Sequence, residues 1–184
     1  MSRLPIQDLQ STTGPNKQIY DALQKMLGTV PNMARVMGNS PAVLQAWAQF
    51  NGTLGSAKLP AKTREQIALL TAENNACDYC LSAHTAIGKL VGLKQDEIDA
   101  ARDGLSGDAR TSASLAFAQA VIDSKGGVSD DDFAAAKEAG LSDAELAEVV
   151  AAVALNVFTN YFNRAFGVDV DFPAVHARKA ALAV

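Results

Sequence analysis

The spacing at which apolar residues recur constrains this chain more than anything else in it. They return every third or fourth position through most of its length, and no stretch alternates at period two for long. That rhythm lines one face of a helix, not one face of a strand. An all-α helical bundle follows, with no strands expected. Glycine and proline cut the pattern into pieces. Helices are expected over 16–27, 31–37, from Ser40-Pro41 onward, over 60–72, 77–92, 94–102, 109–125, 129–139 and 143–166. Ser40-Pro41 is a hydroxyl cap followed by a first-turn proline, and Ser142 with Glu145 is a capping box. Residues 1–15 read as an extended lead-in broken by Pro5, Gly14 and Pro15, and 172–184 as a short docking helix. Trp47, the single tryptophan, falls on an apolar face with Val43, Leu44 and Phe50 and reads as core.

Chemistry concentrates in Cys77-Asp78-Tyr79-Cys80-Leu81-Ser82-Ala83-His84, which holds both cysteines and one of the two histidines. On a helix, positions i, i+3 and i+7 share a face, so two sulfurs and an imidazole line one side of one rod. Ile87 and Val91 extend that face, which therefore packs against protein rather than water. Two cysteines at this spacing on a first turn can close a disulfide and reopen it, and a helix N-terminus favours the thiolate. Zinc is the rival use of Cys-x-x-Cys plus His. Cys77 and His84, however, lie about 10 Å apart along a straight helix, and zinc needs its ligand atoms within about 2.3 Å of one point. His176 is remote in sequence, so no metal is expected. Glu65 shares a face with Ala68, Leu69, Ala72 and Ala76. Its place is explained either by a role beside an apolar stripe, where a lone charge is costly, or by the preference of acidic residues for a helix N-terminus.

An internal echo divides the chain. Residues 59–84 overlie 141–166 at an offset of 82 (141 − 59) without a gap: Leu59 meets Leu141, Ile67 meets Val149, Asn74 meets Asn156, Tyr79 meets Tyr161 and Ala83 meets Ala165. Two similar helical units within one domain, 1–184, follow from it. The redox motif belongs to 59–92, and the echo at 141–166 carries Thr159, Phe162 and Phe166 where Cys77, Cys80 and His84 stand. Asn156, Asn160 and Asn163 form a polar stripe on that second helix. They face the site, an adjoining subunit or solvent.

Charge and hydropathy exclude several classes of function. The net charge of −4 gives no basic footprint for nucleic acid, and no apolar run reaches membrane-spanning length. The first residues contain no apolar signal segment, so a cytoplasmic protein is expected. In that compartment a disulfide is more often catalytic or sensing than structural.

Arg64-Glu65, Cys77-Asp78-Tyr79-Cys80 and His84 together resemble the alkylhydroperoxidase D-like, carboxymuconolactone decarboxylase superfamily. The twelve-residue step from Glu65 to Cys77 (77 − 65) fits its redox signature. Thr159-Asn160-Tyr161-Phe162-Asn163 and Asp171-Phe172-Pro173 resemble segments of peroxidase-related members, and the likeness spans roughly 30–173. The resemblance implies an all-helical fold that assembles as trimers or hexamers. It also implies reduction of hydroperoxides, or transfer of electrons to a peroxidase partner, with an external dithiol or protein as electron donor and no bound cofactor. By position, Cys80 is the peroxide-attacking thiolate and Cys77 the resolving thiol. His84 accepts the proton of Cys80, and Glu65 stands behind it in the relay. Alkylhydroperoxidase D proper tends to carry a histidine where this chain has Tyr79. Two other readings use the same residues: a disulfide-exchange protein without peroxidase activity, and a non-enzymatic helical scaffold or binding module with an inert cysteine pair.

Overall fold

Local chemistry writes most of the helix boundaries. In the computed structural model, which describes residues 1–178, the helices among the described residues are α1 (Gly14–Leu27), α2 (Asn32–Met37), α3 (Pro41–Leu54), α4 (Ala61–Asn74), α5 (Asp78–Leu90), α6 (Gln95–Arg102), α7 (Ala109–Ser124), α8 (Asp130–Glu138) and α9 (Asp143–Phe166). No strand occurs among them, and no helix is long and apolar enough to cross a membrane. The Ser40, Asp108, Ser129 and Ser142 side chains each accept the N–H three residues on, satisfying a donor that the first turn would leave bare. At α9 the Glu145 carboxylate reaches back to the Ser142 N–H at 2.9 Å, completing the capping box. α1 starts at Gly14, earlier than its apolar rhythm implies, because Pro15 sits in the first turn, where a missing N–H costs nothing.

α4 is the hub. It packs against α5, α6, α7 and α9, and its residues from Gln66 to Glu73 are all buried. A helix surrounded on every side needs apolar residues around its whole circumference, and Ile67, Ala68, Leu69, Leu70 and Ala72 supply them. Truncating Leu70 to alanine here would cost about 2–5 kcal/mol. The polar groups of α4 are paired: Thr63 with Thr111, Asn74 with Gln119, and the buried Glu73 carboxylate with Arg102 at 2.7 Å. On one side α4 meets α7 and α9 through Leu115, Ala118, Val121, Leu146, Val149 and Val153. Its other flank meets α5 and α6 through Cys77, Cys80, Leu81, Leu93 and Ile98. α1, α2 and α3 close a third cluster around Tyr20, Leu44 and Trp47, to which Leu155 of α9 contributes.

The expected docking helix at 172–184 is absent from its described part; residues 179–184 lie outside the described residues. Residues 169–178 form an irregular strap. Its backbone donors are satisfied by side chains of the bundle instead of by its own carbonyls. Val175 N–H donates to Ser82 Oγ (2.9 Å), Ala177 N–H to Asp78 Oδ1 (2.9 Å) and Arg178 N–H to Glu73 Oε1 (2.6 Å). Arg102 in turn donates to the His176 carbonyl at 2.7 Å. With those partners in place, a helix would gain the strap nothing.

Candidate active site

The site begins where α4 ends. Asn75 leaves the helical region and Ala76 takes a positive φ of 48°, one of two non-glycine residues among those described to do so. That left-handed step stops α4 and restarts the chain as α5 at a new angle. Cys77 is the residue in between. It caps α5 with sulfur in place of oxygen: Cys77 Sγ accepts the Cys80 N–H at 3.3 Å. Cys80 stands at the third position of α5, within the first turn, where unpaired N–H groups create partial positive charge. The two cysteines are joined as a disulfide, with Cα atoms 5.3 Å apart. Both are sealed from water, at 1% exposure for Cys77 and 2% for Cys80.

His84 follows one turn after Cys80. Its Nδ1 lies 2.8 Å from Glu65 Oε2, which reaches across from the first part of α4. Both side chains are partly buried. A carboxylate at Nδ1 accepts a hydrogen bond from the N–H there and so leaves Nε2 as the basic nitrogen. The two explanations of Glu65 are thereby separated: the carboxylate points at an imidazole rather than simply decorating a helix start. Cys80, His84 and Glu65 stand on the wall of one cavity of about 430 Å³, with Cys77 behind Cys80. The rest of the wall is mostly apolar, including Leu23, Met26, Trp47, Leu54, Ile87 and Leu155. A cavity of that size and lining suits a small organic molecule.

Two further residues complete the surroundings of the sulfurs. Tyr79 is buried beneath the strap. Its hydroxyl accepts the Met33 N–H (3.0 Å) and donates to Asp171 Oδ1 (2.9 Å), and Phe172 meets its ring edge-on. Burial holds the phenol protonated far above its ordinary range, so it stays a donor. A residue so committed joins α2 to the strap, and its one O–H is spent on Asp171. Asn163, from α9, sends Nδ2 toward Cys80 Sγ and Met33 Sδ, each at 3.3 Å. Of the asparagine stripe, Asn156 and Asn163 line the cavity, and Asn160 accepts from Asn75 at the α4–α5 junction. All three face inward. The polar rhythm on an apolar helix is the sequence signal for them; Tyr79 and Asp171 are marked in the sequence by the family resemblance alone, which does not pair them.

His176 stays outside. It is exposed and bonded through Nδ1 to Asp78 Oδ2 at 2.8 Å. Among the described residues, no three histidine, cysteine or acidic side chains converge as metal ligands.

The carboxymuconolactone decarboxylase family matches residues 41–123, from α3 almost to the end of α7. No curated protein sequence matches the chain. Among solved structures, the alkylhydroperoxidase AhpD core of a peroxidase-related protein from Ralstonia eutropha JMP134 is similar, with a TM-score of 0.83, 25% identity and 92% of each chain covered. A peroxidase-related protein from Silicibacter sp. TM1040 superposes at 0.81 with 22% identity over 91% of each chain. A variant of the debrominase Bmp8 in complex with 2,3,4-tribromopyrrole gives 0.78 with 21% identity, over 92% of this chain and 91% of that one. The last two likenesses carry the fold alone.

Proposed function

We propose that this chain, whose residues 41–123 match the carboxymuconolactone decarboxylase family and whose fold is similar to an alkylhydroperoxidase AhpD core, is a thiol-dependent reductase of organic hydroperoxides. One observation carries the reading: the disulfide-forming Cys80 and the Glu65-held His84 share the wall of a single apolar cavity.

The cycle starts from the reduced pair. His84, held by Glu65 with Nε2 basic, takes the proton of the Cys80 thiol, and the α5 N-terminus steadies the resulting thiolate. The thiolate attacks the terminal peroxide oxygen. The O–O bond breaks, Cys80 becomes a sulfenic acid, and His84 returns its proton to the departing alkoxide to give the alcohol. Cys77, one turn earlier, attacks the sulfenic sulfur, expels water and forms the disulfide. An external dithiol or protein reductant then restores both thiols by exchange and is itself oxidised to a disulfide. No bound cofactor enters this cycle. The apolar lining favours an organic hydroperoxide over hydrogen peroxide, and the exposed Val150, Phe158 and Tyr161 of α9 support association of copies of this chain.

Stopped-flow mixing of the reduced protein with cumene hydroperoxide, followed by several dithiol donors, tests the proposal. The expected result is one peroxide consumed for every two thiols lost, then turnover when donor is added. Reversible disulfide exchange without peroxide consumption would leave a disulfide-exchange protein instead. Thiols that never close a bridge would leave a binding scaffold.

A further inference from the structure

The buried amide of Asn163 has one half committed and one half empty. Nδ2 lies 3.3 Å from Cys80 Sγ and 3.3 Å from Met33 Sδ. In this oxidised state neither sulfur carries a proton, so only the NH₂ end of the amide gains by facing them. That fixes which end is which. Oδ1 is consequently turned elsewhere, and it is buried without a hydrogen-bond partner among the described residues. Asn163 is only 3% exposed and lines the cavity. An orphaned carbonyl at such depth is costly unless some donor visits it.

The geometry points to Asn163 as a catalytic residue that grips both reactants: Nδ2 donates to the Cys80 thiolate, and Oδ1 accepts the O–H of the incoming hydroperoxide. This assignment rests on the reading of Cys80 as nucleophile. A hydroperoxide whose O–H is bonded to Oδ1 presents its terminal oxygen beside the sulfur that Nδ2 is already holding. The same amide thus activates the nucleophile and aims the bond that must break. The attack is the one described above: sulfur bonds to the terminal oxygen, the O–O bond opens, the terminal hydrogen stays on the new sulfenic acid, and the alkoxide takes its proton from His84. The amide itself is not consumed. Other titratable groups surround the cavity. Arg64 and Glu65 come from α4, Tyr79 and His84 from α5, and Asp171 of the strap is bonded to Tyr79. Asn163 is the group that reaches Cys80 from α9, so its removal leaves all of these in place.

The test separates the two halves. In a Cys77→Ser background, the rate of alkylation of Cys80 by iodoacetamide is followed against pH, with Asn163 intact and with Asn163→Leu. Leucine is close in size and keeps the site packed; Asn163→Ala serves as the second variant, and circular dichroism checks both for native helix. Removing a hydrogen bond to a charged group corresponds to about a ten- to hundredfold effect. The alkylation profile is therefore expected to move up by about one to two pH units. With Cys77 present, kcat/KM for cumene hydroperoxide falls at least as far. An unchanged alkylation profile in folded Asn163→Leu and Asn163→Ala overturns the assignment. If the parent protein consumes no peroxide, the peroxidase reading fails by itself, and the alkylation profile still decides whether Asn163 holds the thiolate.

Discussion

Residues 59–84 and 141–166 share a sequence rhythm yet build different objects. In the second stretch the chain runs as one uninterrupted helix, α9, from Asp143 to Phe166. In the first it is cut at Asn75–Ala76 into α4 and α5. At the offset of 82, the cut falls opposite Val157–Phe158, mid-helix in α9. The difference shows what the break is for. A cysteine in the middle of a helix has its N–H and neighbours tied into the backbone ladder. A cysteine just before and just after a restart sits among unpaired donors, and its sulfur can accept one. The intact helix does a complementary job. It lays Asn156, Asn160 and Asn163 along the broken one, so the stretch without cysteines furnishes the polar wall for the stretch that has them.

Converting the first stretch toward the second should therefore remove activity in steps. The largest effect is expected at Cys80, whose counterpart is Phe162. Cys80→Ser abolishes turnover, and Cys77→Ser permits a single turnover that halts at a sulfenic acid, detected by dimedone labelling and mass spectrometry. Unaltered steady-state peroxide reduction in both variants would end the redox reading. Glu65 is matched by Ala147 in the echo. Glu65→Ala removes the 2.8 Å contact to His84 and should lower kcat/KM for hydroperoxide about ten- to hundredfold, the value of one charge-assisted bond. Reduction of the disulfide by a small dithiol should hold steady in the same variant.

The tyrosines sharpen the contrast on stability. Tyr79 is 5% exposed with two hydroxyl partners, whereas Tyr161 is 59% exposed. Tyr79→Phe strands the Met33 N–H and leaves the Asp171 carboxylate with the Asn32 N–H, costing about 1–3 kcal/mol in urea unfolding. Tyr161→Phe should stay within about 0.5 kcal/mol. A large loss of peroxide turnover in folded Tyr79→Phe would instead restore a relay through that position. A smaller effect is expected at the break itself. Ala76→Gly relieves the left-handed penalty and should raise stability by up to about 1 kcal/mol, while Ala76→Val should lower it.

The smallest effect concerns how each stretch begins. α9 starts on a capping box whose Glu145 carboxylate is held down to a pKa of about 2, first by its Arg110 hydrogen bonds and then by Ser142. A depressed carboxylate stabilises the fold fully above its ordinary pKa, and the contribution fades as pH falls from about 4.5 toward 2. Acid titration followed by circular dichroism should therefore show Glu145→Gln converging on the parent protein near pH 2. α4 has no side-chain cap at its start and no comparable loss.

Legibility followed the range of the interactions. Helices with caps and apolar stripes, such as α3, α7 and α9, were readable because every determinant lies within four residues. Cys77, Cys80 and His84 were readable for the same reason. Glu65 was ambiguous, since spacing along α4 cannot reveal that α5 places an imidazole beside it. The partners of Tyr79 were unreadable, since they lie 46 and 92 positions away. The strap reads as a helix locally but is not one, because its backbone is satisfied by Glu73, Asp78 and Ser82, three side chains that no local pattern connects to it.

Burial of the disulfide has a kinetic corollary. Val168, Phe172, Val175 and Ala177 pack into the cluster that contains both sulfurs. A protein donor has no line of approach until part of that cover lifts. Its refresh rate should therefore plateau with donor concentration, at a ceiling fixed by how often the cover opens, whereas a slim dithiol entering through the cavity meets no such limit.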